Sequence, residues 1–429
     1  MPFTDDDAAL LLDLLATPTV NPLEGPDRPR LWQAQRTYAR AAEPLGFQVV
    51  HHSAPPARVI ERDDVPEAVR AAGPGSLADQ PSMVLRLGPE LPRSSTVMFN
   101  VHLDTVAGLE PVGLRGGRFT GRGAIDAKGP AVALLSGIRE AIGAAPELGR
   151  EVSVLVQVVS GEEGGAMGTF GTRPLVERGF VGRLNIFCEP TGLRFLPRAT
   201  ASMTARLRVA GRGSIDDRPD AGHNASVLLG FLAQHLAARL DARDRPGRLC
   251  VAGLRTGEQH NRVYGSGELL LNLSYASTRE GREAETALRA ELASGLTRFR
   301  ELFAGTREFD RTARDAEAIT RLEWLKRGLP CLDDADPWAE ELLARAGAAR
   351  WPPAEPGFTC DAIWLHGRTD CYTAVLGPGH LDANNAHAEG EHADRAELAE
   401  FASVVSALLI DFARQGTTPG RKQRDAPAV

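Results

Sequence analysis

Five short segments of this sequence concentrate side chains able to bind a cation or move a proton. Asn100-Val101-His102-Leu103-Asp104 closes an apolar run. His102 and Asp104 stand two apart, so on an extended backbone both face one way, and the carboxylate is placed to orient the imidazole as the partner of a metal ligand does. Taken alone, the pair also reads as a surface histidine. Gly121-Arg122-Gly123-Ala124-Ile125-Asp126-Ala127-Lys128-Gly129 holds one carboxylate, Asp126, on a glycine-rich turn. Its spacing is neither a Walker loop nor a dinucleotide fingerprint, and no basic cradle accompanies it, so phosphate binding is disfavoured and a bridging metal ligand remains.

Ser160-Gly161-Glu162-Glu163-Gly164-Gly165 sets two adjacent carboxylates directly after a continuous apolar strand. The end of such a strand in an open α/β sheet borders the usual ligand crevice. Without a cation the two carboxylates would repel. The next apolar run, Leu184 to Cys188, ends the same way on Glu189, and a late loop, Ala386 to His392, carries His387. That loop by itself also reads as an exposed polar segment. Together His102, Asp126, Glu163, Glu189 and His387 form a nitrogen and oxygen donor set suited to two zinc ions bridged by one carboxylate, and cobalt or manganese suits such donors too. Glu162 is then a spare base beside the metals.

These residues need elements to hold them. Thr4 to Asp7 forms a helix-capping start followed by Leu10, Leu11, Leu14 and Leu15 on one helical face. Strands are expected at Ser82 to Leu87, Thr96 to Val101 and Val152 to Val159, with a helix over Pro130 to Ala144. Strands alternating with helices indicate an α/β domain. After Pro190 the pattern changes: Met203, Ala205, Leu207 and Val209 alternate with polar residues, as in a one-sided antiparallel strand. A helix (225 to 243), strands near 249 to 254 and 268 to 275, a helix (283 to 303) and a strand near 318 to 325 complete a βαββαβ, ferredoxin-like order. The α/β pattern then resumes with a helix around 338 to 346, a strand at 372 to 376 and a last helix from Arg395 to Phe412. The expected organisation is a catalytic domain over 1–198 and 326–415, an inserted α+β lid over 199–325, and a frayed tail at 416–429.

The 429 residues carry 49 Lys+Arg against 56 Asp+Glu, a net charge of −7, with no basic stripe, so nucleic acid is not an expected partner. Five widely spaced cysteines include no Cys-x-x-Cys pair, which argues against a disulfide framework or a thiolate zinc site. The acidic N-terminus and the lack of an apolar run of about 18 residues predict a cytoplasmic protein with no membrane partner.

In order along nearly the whole chain, the HxD strand end, the GRGxxDxKG turn, the Gly-Glu-Glu turn, Cys188-Glu189-Pro190-Thr191, the inserted lid and the late His resemble the dinuclear zinc amidohydrolases and exopeptidases of the acetylornithine deacetylase, succinyl-diaminopimelate desuccinylase and carboxypeptidase G family. The resemblance implies a zinc-exopeptidase-like α/β domain with a ferredoxin-like lid, and a homodimer through that lid. It implies that His102 and Glu189 bind one metal, Glu163 and His387 the other, Asp126 both, and that Asp104 orients His102. It also implies a cis peptide at Asp126-Ala127.

Glu162 would take a proton from the attacking water and pass it to the leaving amine of an N-acyl amino acid, small peptide or related substrate. A metal-binding scaffold without turnover, and acyl transfer or processing of a carrier-bound substrate, are the alternatives. In the lid, Asn261 matches the family's asparagine. Ile215 stands where a histidine usually stabilises the oxyanion, and Ser274 where many members have the arginine that grips a carboxylate. His223 and Arg262 are then candidate replacement contacts, with His223 as the start of a lid helix being the other reading.

Overall fold

A computed structural model describes residues 3–25, 28–241 and 247–416. The chain divides into two compact units, one comprising Met1–Ala199 with Leu332–Val429 and the other Thr200–Cys331. The tail expected from Gly416 lies, but for its first residue, outside the described residues.

In the first unit a six-stranded sheet runs in the order Phe47–Ser53, Ser82–Leu87, Ser153–Val159, Thr96–His102, Leu184–Phe187, Tyr372–Val375. The last four strands are mutually parallel, and the first two are antiparallel additions at one edge. Ser153–Val159 and Thr96–His102 are buried along their whole length. Continuous apolar runs such as Val154-Leu155-Val156 are what a strand covered on both faces requires. Parallel strands also leave all their C-terminal ends at one side of the sheet, which is where loops can converge.

The helix Lys128–Ala144 packs against Asp5–Ala16 and against Arg395–Gly416. Gly137 permits the second contact: a Cβ there would lie 2.4 Å from the Ala402 carbonyl oxygen. The predicted capping box is present, with Thr4 and Asp7 exchanging backbone and side-chain hydrogen bonds at the start of Asp5–Ala16. Asp7 is also the anchor between two helices, because both its oxygens accept from the Arg139 guanidinium, at 2.9 and 2.6 Å, and one accepts from Ser136 Oγ at 3.2 Å.

The second unit is a four-stranded antiparallel sheet in the order Arg248–Arg255, Ser266–Tyr275, Ala201–Ala210, Thr320–Lys326. The alternation read in the sequence is real: Met203, Ala205, Leu207 and Val209 are buried, facing Ala225–Leu240 and Thr278–Phe303. On the opposite face Arg206 pairs with Glu323 at 2.8 Å. Two details differ from expectation. A further helix, Asp310–Ile319, occupies residues expected to begin the last strand, because Thr312, Ala313 and Ala316 bury one helical face. The unit also ends at Cys331 and not at 325, since the strand stays paired as far as Lys326 opposite Thr204.

Burial alone would raise the Asp7 pKa, but hydrogen bonds from Arg139 and Thr4 outweigh it and hold the carboxyl below its usual range. A carboxyl with a depressed folded-state pKa stabilises the fold above its unfolded pKa, about 3.9, and loses that contribution as pH falls through the folded value. The Arg139 side chain is 38 % exposed, so solvent screens part of the pair. Asp7→Ala is expected to cost about 1–3 kcal/mol in urea unfolding at pH 7. The gap between variant and parent should narrow as the pH is lowered below about 4; a gap that is independent of pH would show that the carboxylate charge is not what holds the two helices.

Candidate active site

The parallel strand ends bring the predicted residues together. His102 is the last residue of its strand, Glu162 and Glu163 follow Ser153–Val159, and Glu189 follows Leu184–Phe187. Asp126 precedes the helix Lys128–Ala144, and His387 lies in the loop after Tyr372–Val375. The Asp126–Ala127 peptide is cis, as the resemblance implies. His102 Nε2 lies 2.8 Å from Asp126 Oδ1 and 3.7 Å from Glu189 Oε1. His387 Nε2 lies 3.0 Å from Asp126 Oδ2 and 2.9 Å from Glu163 Oε1. Asp126 therefore stands between two imidazoles, one oxygen toward each.

The donors form overlapping groups, with His102, Asp126 and Glu189 in one and Asp126, Glu163 and His387 in another, each with its ligand atoms within 4.8 Å of one another. His102, Glu162 and Glu163 satisfy the same condition, so the Glu162 carboxylate borders the cluster directly.

Four carboxylates meet here, and among the described residues no Lys or Arg side chain forms an ion pair with any of them. Burial, together with the charges of Asp361, Glu163 and Glu189, pushes Glu162 well above the usual carboxylate range. Glu163 is raised to about 7, mainly by burial. Burial would raise Asp126 as well, but its bonds to His102 and His387 hold it well below the usual range. Hydrogen bonds to Asp126 and Glu163 push His387 up to about 10. Imidazoles and carboxylates that trap protons in this way are competing for positive charge. The donor set fits divalent metal ions, which supply that charge without protons.

The role expected of Asp104 is corrected. His102 Nδ1 donates to the backbone carbonyl of Asp104 at 2.9 Å, while the Asp104 carboxylate is 3.7 Å from that nitrogen. The carboxylate accepts instead from Asn21 Nδ2 at 2.9 Å and from the Glu163 N–H at 3.2 Å.

His223 is also placed differently from a substrate contact. Its Nδ1 accepts the Arg212 N–H at 2.8 Å and its Nε2 faces Asp315 at 3.0 Å, so both ring nitrogens are engaged within the second unit, just before the Asn224 cap of Ala225–Leu240. In that unit Arg262 pairs in register with Ile215, which is 55 % exposed. Asn261, His260 and Arg262 are exposed.

Two positioning residues and one buried carboxyl escaped the sequence reading. Glu391 is buried and accepts from the backbone N–H groups of Ile125 and Asp126, at 3.1 and 3.3 Å, and from Arg122 at 2.8 Å. It clamps the turn that carries Asp126. Its place four residues after His387 was visible, but its partners, some 265 residues away, were not. Asn21 bridges Asp104 and the Glu163 carbonyl, a role hidden in what reads as a helix-ending loop. Asp361 is buried with its carboxyl bonded to Thr172 Oγ1 at 2.5 Å, and burial raises it to about 8.

The sequence profile of peptidase family M20/M25/M40 matches residues 98–411. A protein of Aeropyrum pernix named as a LysW-lysine/LysW-ornithine hydrolase is 32 % identical over 227 residues; the match spans 52 % of this chain and 59 % of the length of that relative. In fold the chain is similar to a tripeptidase from Staphylococcus aureus, with TM-score 0.70 and 14 % identity over 96 % of this chain and 99 % of that one. It is also similar to a metallo-carboxypeptidase from Sulfolobus solfataricus, with TM-score 0.68 and 11 % identity over 96 % of this chain and 100 % of that one. The shared fold thus extends over nearly the whole chain.

Asp104→Ala should leave His102 held by the carbonyl of residue 104 but release the Glu163 backbone and Asn21. Metal affinity is expected to fall about 10–100-fold, the usual cost of losing a group that orients a ligand. Competition against a chelating dye measures it, and unchanged affinity would mean that Glu163 is positioned without Asp104.

Proposed function

The chain belongs to peptidase family M20/M25/M40, and from that premise we propose that it is a metal-dependent hydrolase of an amide bond in an N-acyl amino acid or small peptide. The observation that carries this reading is the pair of donor groups sharing Asp126. In the proposal His102 and Glu189 hold one divalent ion, Glu163 and His387 a second, and Asp126 both. Bound there, such ions polarise a carbonyl and make water acidic enough to attack near neutral pH. Zinc as the metal and a homodimer through the second unit are further parts of the proposal, resting on the resemblance, and a cytoplasmic location is proposed with them. Among the described residues no helix is long and apolar enough to cross a membrane.

Glu162 is the proposed general base. It borders the metal-ligand cluster without being needed in either of the two groups that share Asp126. Burial beside other carboxylates raises its proton affinity, which suits a group that must hold the proton of water until the amine nitrogen departs. Asn261 and Arg262 are the proposed substrate contacts of the second unit. Arg262 has no ion-pair partner among the described residues, and its guanidinium offers paired donors to a carboxylate that Ser274 cannot grip. A narrower reading, with lysine or ornithine as the released amine, is favoured by the name of the Aeropyrum relative.

Assay of the metal-loaded protein on N-acyl amino acids and dipeptides tests the function; absence of turnover on every member at full metal occupancy would favour a scaffold. Within that assay, faster hydrolysis of N-acyl-lysine or N-acyl-ornithine than of N-acyl-leucine decides for the narrower reading. Glu162→Gln is expected to lower kcat by at least about 10²-fold with metal content unchanged, and retained turnover would assign the base elsewhere. Arg262→Ala should raise KM for carboxylate-bearing substrates about 10-fold or more at nearly constant kcat, as loss of a charged hydrogen bond does. An equal effect on substrates with the carboxylate amidated would remove Arg262 from recognition.

A further inference from the structure

Away from the donor cluster, the antiparallel edge of the main sheet borders a cavity of about 590 Å³. Its polar wall is built by sequence alternation and register. His51 and Ser53 are two apart on the edge strand, and Ser53 lies opposite Ser82 on the next strand, so the three side chains share one face and line the cavity.

The hydrogen-bond directions on this wall are fixed by one contact. Arg178 donates to His51 Nδ1 at 3.0 Å, which leaves the ring proton on Nε2, directed to Ser53 Oγ at 3.2 Å. Burial, Arg178 and His52 hold the His51 pKa below its ordinary value, so the ring remains neutral at pH 7. Ser53 therefore accepts from the ring and has its own hydroxyl proton to give. Ser82 is 4 % exposed and contributes the closed floor of this wall.

The charges point the same way. Glu177, the one carboxylate of the lining, accepts from Arg62 at 2.8 Å and from Arg173 at 3.1 Å, so its charge is already met. Arg58, which also lines the cavity, has no ion-pair or hydrogen-bond partner among the described residues. What remains facing the space is two guanidinium groups and the Ser53 hydroxyl, with Val59, Phe170 and Leu175 as an apolar wall. Donors and positive charge without a free acceptor select an anion with several acceptor oxygens.

We propose that this cavity is a binding site for a small oxyanion, a molecule bearing a carboxylate or phosphate group on a short apolar body, held by Arg58, Arg178 and Ser53. Phe170 gives the site a physical link to the catalytic turn, since its ring lies where a Cβ on Gly161 would be, 2.2 Å away, and Gly161 immediately precedes Glu162.

Calorimetric titration of the metal-loaded protein with inorganic phosphate, and separately with glutarate, tests the site. Either anion can also meet the metals, so the reading is the difference between the parent and Arg58→Ala/Arg178→Ala. The parent is expected to bind one equivalent more than the double variant, and Ser53→Ala to weaken that equivalent several-fold, with metal content and circular dichroism unchanged. Loss of the phosphate equivalent alone identifies a phosphate-bearing ligand, loss of the glutarate equivalent alone a carboxylate-bearing one, and either supports the site. Identical isotherms for parent and double variant with both probes overturn it. Should the double variant fold poorly, Arg58→Ala, which removes an exposed side chain with no partner, gives the same comparison.

Discussion

The constraint on which the rest of the structure depends is the concentration of negative charge at the ends of adjacent parallel strands. Asp126, Glu162, Glu163 and Glu189 are brought within reach of one another in a largely buried place, balanced among the described residues by His102 and His387. Burying unpaired charge costs far more than a typical domain has in net stability. The arrangement is tenable because imidazole and carboxylate oxygens can share cations, and the raised proton affinities of Glu162, Glu163 and His387 show how strongly the site draws positive charge.

Holding like charges together also demands a stiff frame. The two strands that deliver His102 and the Glu162-Glu163 pair are buried along their whole length and hydrogen-bonded to each other in register, His102 opposite Val159. Around them, backbone groups are fastened by side chains distant in sequence. Glu391 holds the turn of Asp126, and Asp104 with Asn21 holds the turn of Glu163. Asp7 ties the first helix to the one that begins after Asp126. Each of these carboxylates and amides works through a backbone group or a neighbouring helix, so the turns that carry the donors are held from outside the cluster.

The second unit follows a different logic. Its sheet buries one face under two helices and leaves the other polar, which makes it a self-sufficient α+β layer. Of the two departures from the family resemblance, Ile215 is exposed on a short strand opposite Arg262, and Ser274 lies within the sheet opposite Ser202 and Arg248; His223, a candidate replacement contact, is engaged by Arg212 and Asp315.

By itself the sequence determined the elements and the donor set. Continuous apolar runs marked the doubly covered strands, the alternation from Met203 to Val209 marked the one-sided sheet, and five potential ligands stood at strand ends and turns, where local spacing makes them conspicuous. What the tertiary structure decided was which atoms do the work. The carbonyl of Asp104 and not its carboxylate meets His102, both nitrogens of His223 are spent inside its unit, and Glu391, Asn21 and Asp361 join the site from positions with no local signature. The helix Asp310–Ile319 and the true end of the last strand of the second unit were likewise settled by packing and pairing. The physical reason is common to all of them: hydrophobic period and ligand type are properties of neighbours along the chain, whereas the direction of a hydrogen bond depends on a partner that only folding brings within 3 Å or so.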